Sequence, residues 1–314
     1  MRSCRRLILA VILLVWLAPG QEPPSLVTLN TATLHSVSPP PIALTPDPSG
    51  TVPPEQIRAL LIQAEQKDLE NDKRLRDYTY IERQEEHKLD AQGNVAKTEI
   101  RTSDILEVYG EQVEKLIAKD DQPLPADEVK KEDEKIQKII DKRKNESEDD
   151  RRKRLEKEEK QREEDRKFVL EVADAFNFRL VGSEMMDGRD TWVLEGEPRP
   201  GYEPKHRDAR MLNKLHGRVW IDKAEAQWVK LDITALDTIA FGVFLARIHK
   251  GARIVVDLTK VNEEVWLPRH VQFRLDVRLA LVKNYREDID QTFRDYKKFR
   301  ADSKITVLGE ANRE

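Results

Sequence analysis

Val271-Gln272-Phe273-Arg274-Leu275-Asp276-Val277-Arg278-Leu279-Ala280-Leu281 is apolar at every odd position, with Gln272, Arg274, Asp276 and Arg278 between. Side chains of a strand point alternately to its two faces, so this stretch predicts one long strand with one greasy side. A face of that length has to be covered, because apolar area left in water costs roughly 25 cal/mol per Å². Residues 227–236 repeat the pattern, with Val229, Leu231, Ile233 and Ala235 on one face and Lys230, Asp232 and Thr234 on the other. Val229, Leu231, Ile233, Val271, Phe273, Leu275, Val277 and Leu279 are therefore the candidate ligand-binding residues. Two readings of their face stand side by side, an open lipid-sized cleft and a core filled by helices.

Outward from these strands the chain reads as an antiparallel meander. Pro53-Pro54 opens a helix whose Ile57, Leu60, Leu61 and Ala64 recur at helical spacing. After Arg76 the period changes to two, with Tyr78, Tyr80 and Gln84 alternating with Thr79, Ile81 and Arg83. A turn at 90–94, a returning strand at 95–108 and a third strand at 112–118 follow. Hairpins are expected around Met186-Asp187-Gly188-Arg189 and between 217–222 and 227–236. A short helix at 208–215 and a strand at 252–261 complete this half. Residues 239–248 are apolar and fit strand or helix equally. Residues 286–299 close the sheet. Sequential strands on short turns give an α+β fold built on antiparallel pairing, not on parallel crossovers.

Between 127 and 167, 32 of 41 residues are charged, 16 acidic and 16 basic. Such a segment is helical by propensity yet has almost nothing to bury. Apart from Val129, Ile136, Ile139 and Ile140, only Leu155 is apolar before Phe168, which breaks any coiled-coil seam. The expectation is a helical insertion at 126–176, two helices packed at their roots with a solvated excursion around 145–154. A partner-binding arm is the sharper alternative.

The chain has 314 residues and a formal net charge of -4. Arg2, Arg5 and Arg6 precede the apolar run 7–18, and Ala18-Pro19-Gly20 ends it in small residues. This is the pattern of a cleaved secretory signal at 1–20, too short in its apolar part to span a bilayer. Residues 21–52 form a proline-rich linker expected to be extended and solvated. The folded domain is expected at 53–308, and 309–314 is a tail. The only cysteine, Cys4, falls within the signal, which excludes disulfides, thiolate metal sites and a cysteine nucleophile after export. The mildly acidic balance excludes a nucleic-acid binder.

No catalytic constellation is legible. His35, His87, His206, His216, His249 and His270 lack ligand spacing, although His206 and His216 could meet across one loop. Ser183 lacks the second glycine of a nucleophile elbow, and no glycine-rich phosphate loop exists. The pairs Glu263-Glu264 and Asp288/Asp290 read as solvated edges. The expectation is a non-enzyme with no cofactor and no metal. A hydrolase with an unrecognised site is the third reading.

Three short motifs carry a resemblance. Gly217-Arg218-Val219-Trp220-Ile221-Asp222 fits G-x-[VI]-W-[IV]-D, Trp266-Leu267-Pro268 fits W-x-P, and Tyr296-Lys297-Lys298-Phe299 fits a final Y-x-x-F. In this order, after a signal, a leading helix and a meander, they resemble the outer-membrane lipoprotein-sorting superfamily of LolA/LolB/RseB type over about residues 53–308. The resemblance implies an unclosed antiparallel β-barrel whose concave apolar face, plugged by helices, holds lipid or lipoprotein acyl chains in the periplasm, with only transient membrane contact. It also implies the alternative of an RseB-type regulatory protein that binds an envelope protein partner. The charged insertion at 126–176 departs from the simple carriers.

Overall fold

The computed structural model describes residues 40–48, 51–75, 77–109, 111–205, 207–241, 246–279 and 283–299. The expected signal at 1–20, the first part of the linker, Leu281 and the tail at 309–314 lie outside the described residues.

Helix α1 (Pro54–Leu75) starts where a missing N–H costs nothing, and its Ile57, Leu60, Leu61 and Ala64 are all buried. Strands β1 (Tyr78–Leu89), β2 (Val95–Val108), β3 (Glu111–Lys119) and β4 (Gln122–Pro123) follow as the meander. Helices α2 (Ala126–Lys144) and α3 (Glu148–Ala175) form the insertion. Then come β5 (Phe176–Met186), β6 (Arg189–Pro198), a 3₁₀ helix (Arg207–Lys214), β7 (Leu215–Asp222) and β8 (Trp228–Ala235). The chain ends with β9 (Ile239–Phe241), β10 (Ala246–Ile248), β11 (Arg253–Val261), β12 (Val265–Leu279) and β13 (Lys283–Lys298). The β5–β6 turn uses Asp187 and Gly188, both at positive φ, the conformation a two-residue hairpin requires.

All 13 strands of the described residues join one antiparallel sheet in the order β4-β3-β2-β1-β13-β12-β11-β8-β7-β6-β5, with β9 and β10 paired to each other and β10 to β12. The path does not return on itself, so the barrel is unclosed. The last strand does not close the sheet, contrary to the sequence reading. It lies in the middle, bonded to β1 on one side and to β12 on the other, and joins the N-terminal meander to the rest.

Cross-strand partners share a face, so the register sorts the two sides. Leu194, Val219, Leu231, Val256 and Val271 form one row across β6, β7, β8, β11 and β12, which continues into Gln291 on β13 and Gln84 on β1. This inner face is therefore apolar in one half and polar in the other. The outer face carries Glu195, Arg218 and Asp232 in register across β6, β7 and β8, and Arg253, Arg274 and Asp288 in register across β11, β12 and β13; Arg218–Glu195 at 2.9 Å and Arg274–Asp288 at 3.1 Å pair within these rows, and Arg253–Asp232 at 2.5 Å joins them diagonally. This part of the outer face is thus a ladder of alternating charge.

Two expectations need correction, and one open reading is resolved. Residues 40–52 are not wholly solvated: Leu44 and Val52 are buried against α1. Gln63 binds this segment as another strand would, accepting from Ile42 N at 2.9 Å and donating to Pro40 O at 2.9 Å. The excursion at 145–154 is only a turn, because Ser147 Oγ caps α3 by accepting from Asp150 N at 3.1 Å and the helix is already running at Glu148. The ambiguous 239–248 stretch resolves as β9 and β10, whose short ladders extend the sheet beyond β8 and β11.

Candidate ligand-binding cavity

The cavity arises from a gap in one inner row. Phe178, Gly196, Gly217, Ile233, Ile254, Phe273 and Ile289 stand opposite one another across β5, β6, β7, β8, β11, β12 and β13. Two adjacent glycines remove two side chains from an otherwise bulky apolar row. The Phe178 ring leans over Gly196, where a Cβ would meet its Cε1 at 2.5 Å, whereas a Cβ on Gly217 would lie 3.7 Å from Ile233 Cγ1. The Phe178 ring thus occupies the space over one glycine and leaves the other uncovered.

The resulting cavity measures about 200 Å³ and is walled almost wholly by apolar groups. Its floor is Val219, Leu231, Ile233, Ile254 and Leu275; its roof is Val172 of α3 with Met211 and Leu212 of the 3₁₀ helix. Glu65 and Asp68 of α1 reach the same wall, Glu65 being buried, and Gln227 Nε2 donates to Asp68 Oδ1 at 3.5 Å. A dry apolar cavity of roughly 150 Å³ already holds a benzene-sized guest. This one, at about 200 Å³, has room for a comparable segment of hydrocarbon.

Of the eight residues expected from sequence, Leu231, Ile233 and Leu275 line the cavity. Val271 is fully buried in the neighbouring core beside Val256, and half-buried Phe273 packs on that same cluster. Val229 sits at a bulge, where Trp220 pairs with Lys230 but Ile221 with Trp228, and joins the cluster around Trp220 instead. The bulge brings Trp228 to the cavity in its place. Val277 packs beside Ile239 and Ile248, and Leu279 pairs with Ala246. The sequence reading missed Phe178, Gly196, Gly217 and the 3₁₀ helix. A glycine in each of two paired strands was the available signal.

The polar half of the inner face has its own electrostatics. Burial, with the Glu114 carboxylate adding to it, pushes Glu82 up to about 7. Gln291 Nε2 donates to Glu82 at 3.1 Å and to Gln84 at 2.8 Å. The buried Tyr80 hydroxyl has no hydrogen-bond partner among the described residues, and burial raises its pKa well above the usual tyrosine range.

The other sequence candidates stand in ion pairs. His270 meets Asp290 at 2.8 Å and Asp257 at 3.7 Å, and Lys298 holds Glu264 at 2.8 Å. Lys223 donates to Ser183 Oγ at 2.7 Å. His206 lies outside the described residues, so its meeting with His216 is not seen. Among the described residues no three His, Cys, Asp or Glu side chains are placed to hold a metal ion. Nor is any described helix long and apolar enough to cross a membrane.

No family model matches the chain, and no curated protein does. Among solved structures it is similar to a domain from Vibrio parahaemolyticus described as an outer membrane lipoprotein-sorting protein, at 14% identity and a TM-score of 0.31, covering 78% of this chain and 95% of that one. A DUF1329 family protein from Desulfovibrio piger follows at 11% identity and a TM-score of 0.28, covering 82% and 95%. A LolA superfamily protein from Nitrosomonas europaea has 9% identity and a TM-score of 0.24, covering 77% and 93%. With TM-scores this low, the functional reading rests on the cavity's own geometry.

Proposed function

We propose that this chain is a non-enzymatic envelope protein, exported by its 1–20 signal, that holds part of a lipid or lipoprotein acyl chain in the inner-face cavity. The observation that carries this reading is the glycine gap at Gly196 and Gly217, which leaves about 200 Å³ of apolar space beneath the covering helices. A closed core would fill such space, because an empty apolar cavity costs roughly 24 cal/mol per Å³. Leu231, Ile233 and Leu275 form the contact floor, and half-buried Phe273 extends it along the same face.

Delipidated protein should bind a fluorescent fatty-acid probe, and Gly217→Val should fold normally yet lose most of that binding. The valine would enter the cavity from a backbone position without positive-φ strain. Unchanged probe binding by Gly217→Val, or none by the parent, would remove the cavity from the reading. The exposed charged length of α3 favours a second reading, in which the protein binds an envelope partner through that helix. Deleting that length with probe binding retained, but with a partner lost from pull-downs, would favour it.

A further inference from the structure

The space beneath the helices is divided in two. Besides the main cavity of about 200 Å³, a smaller void of about 20 Å³ lies between α1 and α3, walled by Leu61, Ile62 and Ala173. Phe178, Val172, Trp228 and Glu65 line both. Of these four, Phe178 stands in the glycine row, paired with Gly196, which in turn pairs with Gly217. Its ring sits where the bulky row stops and the gap begins.

That seat is built from two sides. The Phe178 and Phe176 rings lie 5.7 Å apart, centroid to centroid, with 37° between their planes, and buried Phe176 anchors the pair. Beneath the ring, Gly196 has no side chain, and a Cβ there would meet three ring carbons at 2.5–3.1 Å. Phe178 packs both on the cluster of Leu61, Ala64 and Ala173 and on that of Phe176, Ala209 and Leu212. Half-buried Phe178 thus has the main cavity on one side and the small void on the other.

We propose that the Phe178 ring is the partition that ends the cavity and so limits the length of hydrocarbon chain this protein buries. The inference rests on the acyl-chain reading and adds to it the residue that sets chain-length preference. Removing the ring joins the small void to the main cavity. Adding a Cβ at Gly196 displaces the ring, and only the larger space, about 200 Å³ against about 20 Å³, has room to receive it. The two substitutions therefore act in opposite directions.

The full mature chain, delipidated, is compared with Phe178→Ala, Phe178→Leu and Gly196→Ala by displacing a fluorescent fatty-acid probe with saturated fatty acids from hexanoic to palmitic. While added methylenes are being buried, affinity should rise about fourfold per methylene, the equivalent of about 0.8 kcal/mol. It should level off where the chain reaches the partition. Phe178→Ala should move that levelling to longer chains, and Gly196→Ala to shorter ones. If Phe178→Ala shows no cooperative thermal transition, Phe178→Leu carries the test, with a smaller shift in the same direction. Levelling at one and the same length in the parent and the folded Phe178 variants overturns the inference and leaves the acyl-chain reading standing. So does an affinity that climbs in the parent without levelling. No binding of the probe by the parent overturns the acyl-chain reading, and this inference with it.

Discussion

Glu82 faces the polar half of the inner sheet with its pKa pushed up to about 7 by burial, against 4.5 when free. A folded value above the unfolded one means that the protonated carboxyl favours the fold. That contribution is complete below about pH 4.5, declines as pH rises and is gone above about pH 7. Glu82→Gln should therefore raise the melting temperature near pH 8 and leave it unchanged near pH 4; a lower value near pH 8 would show the charged carboxylate to be held favourably. Phe273 poses a packing question instead. A fully enclosed phenylalanine loses about 3–5 kcal/mol on truncation to alanine. Half-buried as it is, Phe273→Ala should lose about 1–3 kcal/mol in a denaturant titration, with weaker retention of a fatty-acid probe. A loss at the upper end without a change in probe retention would place it in a closed core.

At the scale of elements, the charged insertion stands on a few specific contacts. Buried Ile136 with Ile139 and Ile140 docks α2 on Val108 and Val113, while Ser147 starts α3 by capping it. Ser147→Ala should lower stability by about 1 kcal/mol, the usual value of a lost N-cap. Replacing 145–154 by a short Gly/Ser linker should cost little more, because loop-closure entropy changes slowly with length. A loss above roughly 2 kcal/mol in denaturant would mean that the segment does more than connect two helices. Glu146 is the residue to watch there. It accepts from Arg154 at 2.9 Å and Arg143 at 3.2 Å, and the Arg154 guanidinium holds its pKa below the usual carboxylate range.

For the whole molecule, β13 is the strand on which continuity depends. It pairs along its length with β1 and β12, so every connection through the sheet between the N-terminal meander and the apolar half runs through it. A chain ending at residue 282 should lose cooperative unfolding altogether, seen as a broad, low-amplitude thermal transition. A sharp transition in that truncated chain would show that the apolar half is a domain in its own right. Pairing between the first and last strands also gives the fold a high proportion of long-range contacts, which slows folding.

Local chemistry made much of this legible in the sequence. Period-two alternation fixed the β1, β8 and β12 strands and the apolar identity of Leu231, Ile233 and Leu275, since a strand's side chains must alternate whatever surrounds it. Proline at a helix start, the Asp187-Gly188 turn and the insertion's charge content were equally local signals. The place of β13 in the middle of the sheet was not local, because a strand's own residues do not reveal which neighbours bond its two edges. Nor could alternation show that the Val229 bulge exchanges one side chain for Trp228, or that the register sets Gly196 beside Gly217 and opens the row. Sequence determined which faces are apolar and which are charged; tertiary pairing decided where those faces have a gap, because a void is a property of neighbours brought together from distant parts of the chain.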